Sequence, residues 1–186
     1  MTLWLISDTH FSHANILNFT DAAGARIRPE FDTVTQMNEA MIERWNSVVK
    51  PADHVYHLGD VTMLRGAARK QVEPLLRRLN GHKRLVMGNH DLNAAEWYLE
   101  FFEKVMAIRV LNNWVMTHIP VHPASLGRFT GNIHGHIHRS HVLTSLHHPD
   151  PRYVNVSVEV INYTPVPLES ITAIRPDALA EGQKDP

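Results

Sequence analysis

The chain has 186 residues, of which 44% are hydrophobic and 20% are charged, and its formal net charge is -1. This length is typical of one domain with its own core, and the near-neutral charge excludes a strong electrostatic field for nucleic acid. The lack of cysteine excludes disulfides, thiolate metal sites and a cysteine nucleophile. Neither a membrane span nor a signal peptide is visible, so we expect a cytoplasmic protein without membrane partners.

Three short segments in the first half of the chain predict strands. The first is an apolar run too short for a helix, the second alternates before it meets a glycine, and each gives way to polar residues. They are residues 3–7 ("LWLIS"), 54–60 ("HVYHLGD") and 83–91 ("KRLVMGNHD"). Carboxylates and histidines therefore follow each predicted strand directly.

Helices are predicted between and after these strands. The stretch 32–50 places apolar residues at helical spacing after a candidate cap at Asp32 or Thr33, and it ends before a proline. Residues 68–82 end in cationic residues and an Asn-Gly pair, which is typical of a helix C-terminus. Residues 93–104 also have a helical pattern.

From about Val105 the pattern changes to short segments rich in β-branched or aromatic residues, with turns between them. These segments are 105–111, 113–118, 141–146 and 153–161. The sequence therefore predicts an α/β core that finishes in a second, largely antiparallel sheet. We expect one domain over residues 1–176 and a polar C-terminal tail over 177–186.

Histidine is unusually abundant, with fourteen in the chain, and imidazole is the commonest nitrogen ligand for metals. In an extended segment, residues i and i+2 face the same way. Asp8 with His10, and His136 with His138, are therefore expected to present pairs of donor atoms to one place. Such a mixture of carboxylate oxygen and imidazole nitrogen favours a divalent ion such as Mn, Fe or Zn.

Each polar motif alone also has a simpler explanation. Asp and His are frequent in loops, "GD" after a strand is usually a turn, and Asn-His-Asp is a good helix cap. The hypothesis of a metal site therefore depends on the combination of motifs.

That combination resembles the signature of the calcineurin-like metallophosphoesterases. The motifs occur in the family's order: "DTH" at 8–10, "GD" at 59–60, "GNHD" at 88–91, "TH" at 117–118 and "GHIH" at 135–138. The resemblance implies the family fold, in which two packed mixed β-sheets are flanked by helices in a four-layer sandwich. An extra helical segment between His10 and Gly59 departs from the smallest members and is expected to shape the substrate entrance.

The resemblance also implies ligands for two divalent ions. One ion would be held by Asp8, His10, Asp60 and His138, and the other by Asp60, Asn89, His118 and His136. Asp60 would bridge the ions, since a carboxylate can bind two closely spaced cations. Mn is the favoured metal, with Fe, Zn or Ni as alternatives.

In such a centre, a metal-bridging hydroxide attacks the phosphorus atom in line with the leaving group. His90 resembles the family's general acid, and Asp91 is expected to hydrogen-bond the other ring nitrogen of His90 and favour its protonated form. The alternative is that both residues only cap a helix that begins near Leu92.

Other residues are candidates for substrate contact. His13 follows the first motif closely, His122 follows the fourth, and Arg65 lies five residues after Asp60. Arg65 has the alternative of a solvated position at a helix N-terminus. His134 lies outside the motif and is expected to be structural or to support a neighbouring ligand, and His57 is expected at the surface or in a turn.

The leading hypothesis is a dinuclear metal-dependent phosphoesterase with a small phosphodiester or nucleotide as substrate, and phosphodiesterase activity is favoured over phosphomonoesterase activity. One alternative is a catalytically silent scaffold of the same fold that binds protein partners. Another is a nuclease that acts on short oligonucleotides, because a near-neutral chain disfavours only extended backbone binding.

Overall fold

A five-stranded sheet forms around the first three predicted strands. The computed structural model describes residues 1–21 and 23–173. In this sheet β1 (Leu3–Ile6), β2 (His54–His57), β3 (His82–Val86) and β4 (Lys104–Met106) are parallel, in the order β4-β3-β2-β1. The short strand β9 (Val166–Pro167) pairs antiparallel with β1. The predicted C-terminal tail, 177–186, lies outside the described residues.

The first predicted helix is confirmed as α1 (Val34–Val48). Thr33 is its N-cap, and the Thr33 side chain accepts a hydrogen bond from the backbone N–H of Gln36. The apolar residues at helical spacing are buried, because this face of α1 packs on the first sheet. The helix ends shortly before Pro51, which cannot continue it.

The other predicted helices are shorter than expected. A 3₁₀ helix (Gly66–Gln71) begins two residues before the stretch 68–82, and α2 (Glu73–Arg77) follows it. Pro74 lies in the first turn of α2, where it has no N–H to donate and its ring would clash with a preceding turn, so one continuous helix is excluded. The stretch 93–104 contains a single turn, α3 (Ala95–Tyr98). A final helix, α4 (Leu168–Ala173), follows β9.

The second sheet has the order β5-β6-β7-β8. Its strands are β5 (Arg109–Leu111), β6 (Trp114–Met116), β7 (Gly131–His134) and β8 (Tyr153–Asn155). The prediction of a largely antiparallel sheet is wrong, since only β5 and β6 pair antiparallel whereas β6, β7 and β8 are parallel. Asn112 and Asn113, both with positive φ, make the tight turn between β5 and β6. The long connections that follow let the chain return and run parallel.

Two of the predicted β segments behave differently from the expectation. The segment 105–111 is divided between the two sheets, because β4 pairs with β3 and β5 pairs with β6. The segment 141–146 forms only an isolated bridge at Leu143. Leu143 and Leu146 are 50% and 75% exposed, so this segment has no apolar layer against which a strand could pack.

The first sheet separates two cores, and alternate residues of its strands face opposite sides. Ile6 of β1 packs with α1, whereas Leu5 packs against the second sheet. The predicted arrangement of two packed mixed sheets with flanking helices is confirmed. Within the described ranges, no helix is long and apolar enough to cross a membrane.

Candidate metal centre

The predicted ligands lie in the loops that leave the carboxyl ends of strands. These positions are Asp8 and His10 after β1, Asp60 after β2, Asn89 after β3, His118 after β6, and His136 and His138 after β7. Because the strands concerned are parallel within each sheet and the sheets pack face to face, their carboxyl ends meet at one edge. A bridge between Ser7 and Ser157 joins the loops at this edge.

Six of these side chains form two groups of three. The first trio is Asp8, His10 and His138, and the second trio is Asp60, His118 and His136. Within each trio the potential ligand atoms lie within 4.8 Å of one another.

Asp60 lies between the two trios. Its Oδ2 atom is 3.6 Å from His10 Nε2 and 3.3 Å from His118 Nε2. Its Oδ1 atom accepts a hydrogen bond of 2.9 Å from the backbone N–H of His90. Burial alone would raise the pKa of Asp60, but the hydrogen bond from His118 and the nearby histidines outweigh burial and lower it. Asp60 is therefore an anion that faces both trios through one oxygen.

The loops present these ligands by left-handed turns. The predicted ligands Asp8, His10, Asp60, His136 and His138 have φ between 48° and 72°. The expectation that alternate residues of an extended segment deliver the ligands is therefore wrong. A non-glycine residue in this region costs on the order of 1–3 kcal/mol and persists where the surrounding structure enforces it, which is common at functional sites.

The glycines of two motifs allow the loops to approach the carboxylates. A Cβ atom at Gly88 would collide with the side chain and backbone of Asp60, and a Cβ atom at Gly135 would collide with Ser7 and with the Asp8 carboxylate. These contacts explain physically why glycine precedes Asn89 and His136 in the sequence.

The surroundings of His118 require a proton or a cation at its Nε2 atom. Leu58 O lies 2.8 Å from Nδ1, Asn89 Oδ1 lies 2.9 Å from Nε2, and Asp60 Oδ2 also faces Nε2. All three atoms act as acceptors. Burial would lower the pKa of His118, but the Asp60 and Asp8 carboxylates outweigh burial and raise it. A divalent ion at Nε2 would satisfy the same oxygens.

The first trio also lacks a partner that a cation would supply. Both ring nitrogens of His10 are buried, and neither has a hydrogen-bond partner in the described part of the chain. Burial, followed by the charge of Arg28, lowers the pKa of His10 well below its usual value, so the ring is a neutral ligand. Burial raises the pKa of Asp8, an energetic penalty that a bound cation would offset. The donor set of both trios thus fits divalent ions that accept oxygen and nitrogen.

Sequence reasoning missed the residues that hold these ligands in place. The side chain of Glu159 is 0% exposed, and its Oε1 atom accepts a hydrogen bond of 2.9 Å from His138 Nδ1. Arg28, also buried, lies 2.7 Å from the same oxygen. Ser157 Oγ lies 2.9 Å from Asp8 Oδ2. A single carboxylate within the apolar run "VNVSVEVI" was the signal that could have indicated Glu159.

The expected contact between Asp91 and the ring of His90 is not formed. The Asp91 carboxylate is buried and accepts hydrogen bonds of 2.8 to 2.9 Å from the backbone N–H groups of Asp60, Val61 and Gly88. Burial raises the pKa of Asp91 to about 6 despite these bonds. Asp91 therefore joins the loops after β2 and β3, and the ring of His90 is left half-buried beside the first trio, 6.0 Å from the ring of His10.

The candidate substrate contacts have different positions. The ring of His13 is 5.6 Å from that of His10, beside the first trio. His122 is exposed, and its ring accepts a hydrogen bond from the backbone N–H of Ala124 at the start of a 3₁₀ helix. Arg65 is the exposed N-cap residue of another 3₁₀ helix, as its alternative interpretation requires. These contacts place only His13 beside the centre.

His134 and His57 are structural in the fold. His134 ends β7, its Nδ1 atom lies 2.8 Å from Gly135 O, and burial lowers its pKa to about 4. His57 is 1% exposed, so the expectation of a surface or turn position is wrong. Its ring contacts Thr9 Oγ1 at 3.0 Å and accepts from the N–H of Gly59, and burial lowers its pKa to about 3.

Comparison with known sequences identifies the family. The profile of the calcineurin-like phosphoesterases matches residues 1–160. The chain belongs to this family. Membership implies metal-dependent hydrolysis of phosphoesters, and the two trios are candidate metal-ligand clusters for this chemistry.

Relatives of this phosphoesterase share most of its length. The uncharacterized protein MJ1445 of Methanocaldococcus jannaschii is 38% identical over 174 residues, which is 92% of this chain and 90% of the relative. The Gene 66 protein of Mycobacterium phage D29 is 28% identical, over 84% of this chain and 87% of the relative. The crystal structure of AQ665 from Aquifex aeolicus, a protein of unknown function, has a TM-score of 0.65 and 26% identity, covering 93% of this chain and 98% of that one.

Two cavities flank the centre of the phosphoesterase. The larger, about 570 Å³, is next to the first trio and is lined by His138 together with Phe19, Ile27, Ile137 and Arg139 among others. The smaller, about 370 Å³, is next to the second trio and is lined by residues that include Asn89 and His118. Each trio therefore opens towards its own cavity.

Proposed function

We propose that the protein is a dinuclear metal-dependent phosphodiesterase in which Asp60 bridges two divalent ions. The observation that carries this proposal is the position of Asp60 Oδ2, which faces His10 Nε2 of one trio and His118 Nε2 of the other. One anionic oxygen between two groups of imidazole and oxygen donors favours two ions over one, because a shared anion reduces the repulsion between closely spaced cations.

Each ion has its own ligands in this proposal. Asp8, His10 and His138 hold the first, Asn89, His118 and His136 hold the second, and Asp60 contributes to both. Asn89 Oδ1 and His118 Nε2 are already 2.9 Å apart, which supports their convergence on one ion. When bound, the ions lower the pKa of water to produce a hydroxide and polarise the phosphoryl oxygens. Mn is the favoured metal, with Fe, Zn and Ni as alternatives.

His90 is the proposed general acid. Its backbone N–H is held by Asp60 Oδ1, which fixes the residue beside the centre, while its ring is half-buried and next to that of His10. Asp91 does not orient this ring, because its carboxylate accepts from the backbone N–H groups of Asp60, Val61 and Gly88. The ring would donate its proton to the leaving oxygen as the ester bond breaks.

A diester is favoured because the centre opens on both sides. A phosphodiester carries two organic groups, whereas a monoester carries one, and the two cavities offer separate room beside each trio. The larger cavity has apolar walls at Phe19 and Ile27 and a cation at Arg139. His13 lies between this cavity and the first trio, since its ring is 5.8 Å from that of Phe19. We expect the bulkier ester group there, next to His13.

The test compares kcat/KM for bis-p-nitrophenyl phosphate and p-nitrophenyl phosphate, with Mn, Ni, Zn or Mg added to protein stripped by a chelator. The diester is expected to be the better substrate by at least tenfold, with Asp60→Asn as the inactive control. A higher kcat/KM for the monoester would contradict the diester preference. Failure of the stripped protein to bind any of these metals would favour the silent scaffold.

A physiological substrate class can then be assigned by a panel of cyclic and linear diesters, nucleotides and short oligonucleotides under the best metal. Small diesters or nucleotides are expected to exceed oligonucleotides in kcat/KM. Preference for oligonucleotides with a steep dependence on salt would instead indicate a nuclease.

A further inference from the structure

Arg28 is a buried cation in the segment between His10 and Gly59. Its side chain is 0% exposed, and its guanidinium donates hydrogen bonds to the backbone carbonyls of Asp8 at 2.6 Å and Thr9 at 3.0 Å. It also donates to Glu159 Oε1 at 2.8 Å through Nε. One planar side chain therefore holds the loop that carries two predicted ligands of the first trio.

The surrounding segment is built to hold Arg28 in place. Arg26 donates hydrogen bonds to the carbonyls of Leu17, at 2.9 Å, and Phe31, which closes the segment on itself. Ile27 and Phe31 are buried in the core beneath it. The hydrogen bonds of Arg26 and the burial of Ile27 and Phe31 therefore fix the backbone on both sides of Arg28.

Glu159 transmits this fixed position to His138. The Oε1 atom of Glu159 accepts from Arg28 and from His138 Nδ1, and the Glu159 side chain is 0% exposed. Because Nδ1 of His138 is used in this bond, its Nε2 is the nitrogen available to the first trio. Arg28 also neutralises the carboxylate, so that it orients the ring without leaving an unpaired buried anion.

A role in stability alone explains this pair poorly. The desolvation of two buried charges roughly offsets their attraction, so that apolar replacements of similar size often serve stability as well or better. Yet, among the described residues, every hydrogen bond that the Arg28 guanidinium donates to an oxygen ends on the carbonyls of Asp8 and Thr9 or on Glu159, and its other bond is to Met37 Sδ. The contacts are concentrated on the metal centre.

We infer that Arg28 and Glu159 are positioning residues for the ion of the first trio. The segment between His10 and Gly59 therefore supports the centre from inside the fold, in addition to bordering the larger cavity. This inference rests on the proposed function, because it requires a divalent ion at Asp8, His10 and His138.

The experiment isolates each metal site in turn. His136→Ala removes a ligand of the second trio and leaves the first as the intact Mn²⁺ site, whereas His10→Ala does the reverse. Glu159→Gln, which keeps the side-chain size, is added to each background. Mn²⁺ affinity is then measured by electron paramagnetic resonance titration of chelator-stripped protein. Glu159→Gln is expected to weaken Mn²⁺ binding about 10- to 100-fold in the His136→Ala background and less than twofold in the His10→Ala background.

Further variants separate positioning from folding. Arg28→Lys keeps the charge but not the planar set of donors, so it should weaken the first site as well. The double variant Arg28→Met/Glu159→Leu removes both buried charges together and keeps the test valid if a single change prevents folding. The matched controls are Arg78→Met and Glu39→Gln, which change an exposed ion pair of the same residue types. Thermal unfolding of each metal-free variant shows whether the fold is intact.

The outcomes distinguish the two proposals. Unchanged affinity in both backgrounds, or an equal loss in both, overturns the role of Arg28 and Glu159 while the dinuclear centre stands. Failure of the wild-type protein to bind Mn²⁺ at all overturns the proposed function and this inference with it. A selective loss at the first trio that is shared by Glu159→Gln and Arg28→Lys supports the inference.

Discussion

The two trios of the centre are held by different means. In the first, a buried ion pair of Arg28 and Glu159, separated by 131 residues in the chain, orients His138 and binds the carbonyl of Asp8. In the second, a backbone carbonyl, Leu58 O, orients His118. The first trio is thus held by charged side chains from outside the motifs, whereas the second is held by the Leu58 carbonyl and by the Asp91 carboxylate, which accepts from the backbone N–H of Asp60. The first site should respond to distant mutations more strongly than the second.

Asp60 faces histidines of both trios, so a substitution at Asp60 tests whether the two trios form one centre. Asp60→Ala is expected to release both ions and to lower kcat/KM by on the order of 10³-fold or more, because the shared anion between the cations is lost. Metal content by mass spectrometry and hydrolysis of bis-p-nitrophenyl phosphate measure the two effects. Tight retention of one ion would show that the trios are independent sites.

His90 contacts the centre through its backbone but is no predicted ligand. His90→Ala should lower kcat by about 10²- to 10⁴-fold and leave the metal content unchanged. The loss should be larger for a diester with an alkyl leaving group than for a p-nitrophenyl ester, since nitrophenolate leaves readily without a proton. Equal losses for both substrates, or a protein without metal, would contradict the role of general acid.

A change at Asp91 tests how the loops that carry the second trio are held together. Asp91→Ala leaves three buried N–H groups without their acceptor, so the free energy of unfolding should fall by at least about 3 kcal/mol. Urea unfolding of metal-free protein measures this, with exposed Glu100→Ala as the control. A stable variant whose pH–rate profile alone changes would restore the predicted pairing of Asp91 with His90.

A pH-dependent effect is expected at His57, whose ring contacts Thr9 Oγ1 and the backbone N–H of Gly59. Burial lowers the pKa of His57 from the usual 6.5 to about 3 in the folded protein. Between these two pH values the ring is protonated in the unfolded chain but neutral in the folded one. Stability is therefore fully present above about pH 6.5 and is lost as the pH falls towards 3, by up to about 1.4 kcal/mol per pH unit. In His57→Gln, the slope of the unfolding free energy against pH should be smaller, because up to one fewer proton is taken up on unfolding. An unchanged slope would contradict the shift.

The sequence was sufficient where one local pattern determines the outcome. Apolar runs predicted β1, β2 and β3, and helical spacing with a threonine cap predicted α1. The residues that lie together in the two trios are predicted by their motifs and by the resemblance of the combined motifs to the calcineurin-like phosphoesterases. What each of them binds stays a prediction.

The remainder depends on contacts between residues distant in the chain. Long connections and their packing determine that β7 and β8 run parallel to their neighbours, and such packing produces no local pattern in the sequence. The sequence predicts a hydrogen bond between Asp91 and the ring of its neighbour His90. The Asp91 carboxylate instead accepts from the backbone N–H of Val61, 30 residues earlier in the chain. Arg28 and Glu159 belong to no motif, and they come together only when the segment between His10 and Gly59 folds against the turn that follows β8.

The left-handed turns at five predicted ligands connect the stability of the fold with the supply of metal. Each turn raises the energy of the metal-free chain, and a bound ion favours the folded state by RT ln(1 + [M]/Kd), where [M] is the free metal concentration. The protein should therefore persist longest where free metal exceeds its dissociation constant. Scarcity of the metal would then lower the amount of enzyme through turnover by proteases, in addition to emptying its active site.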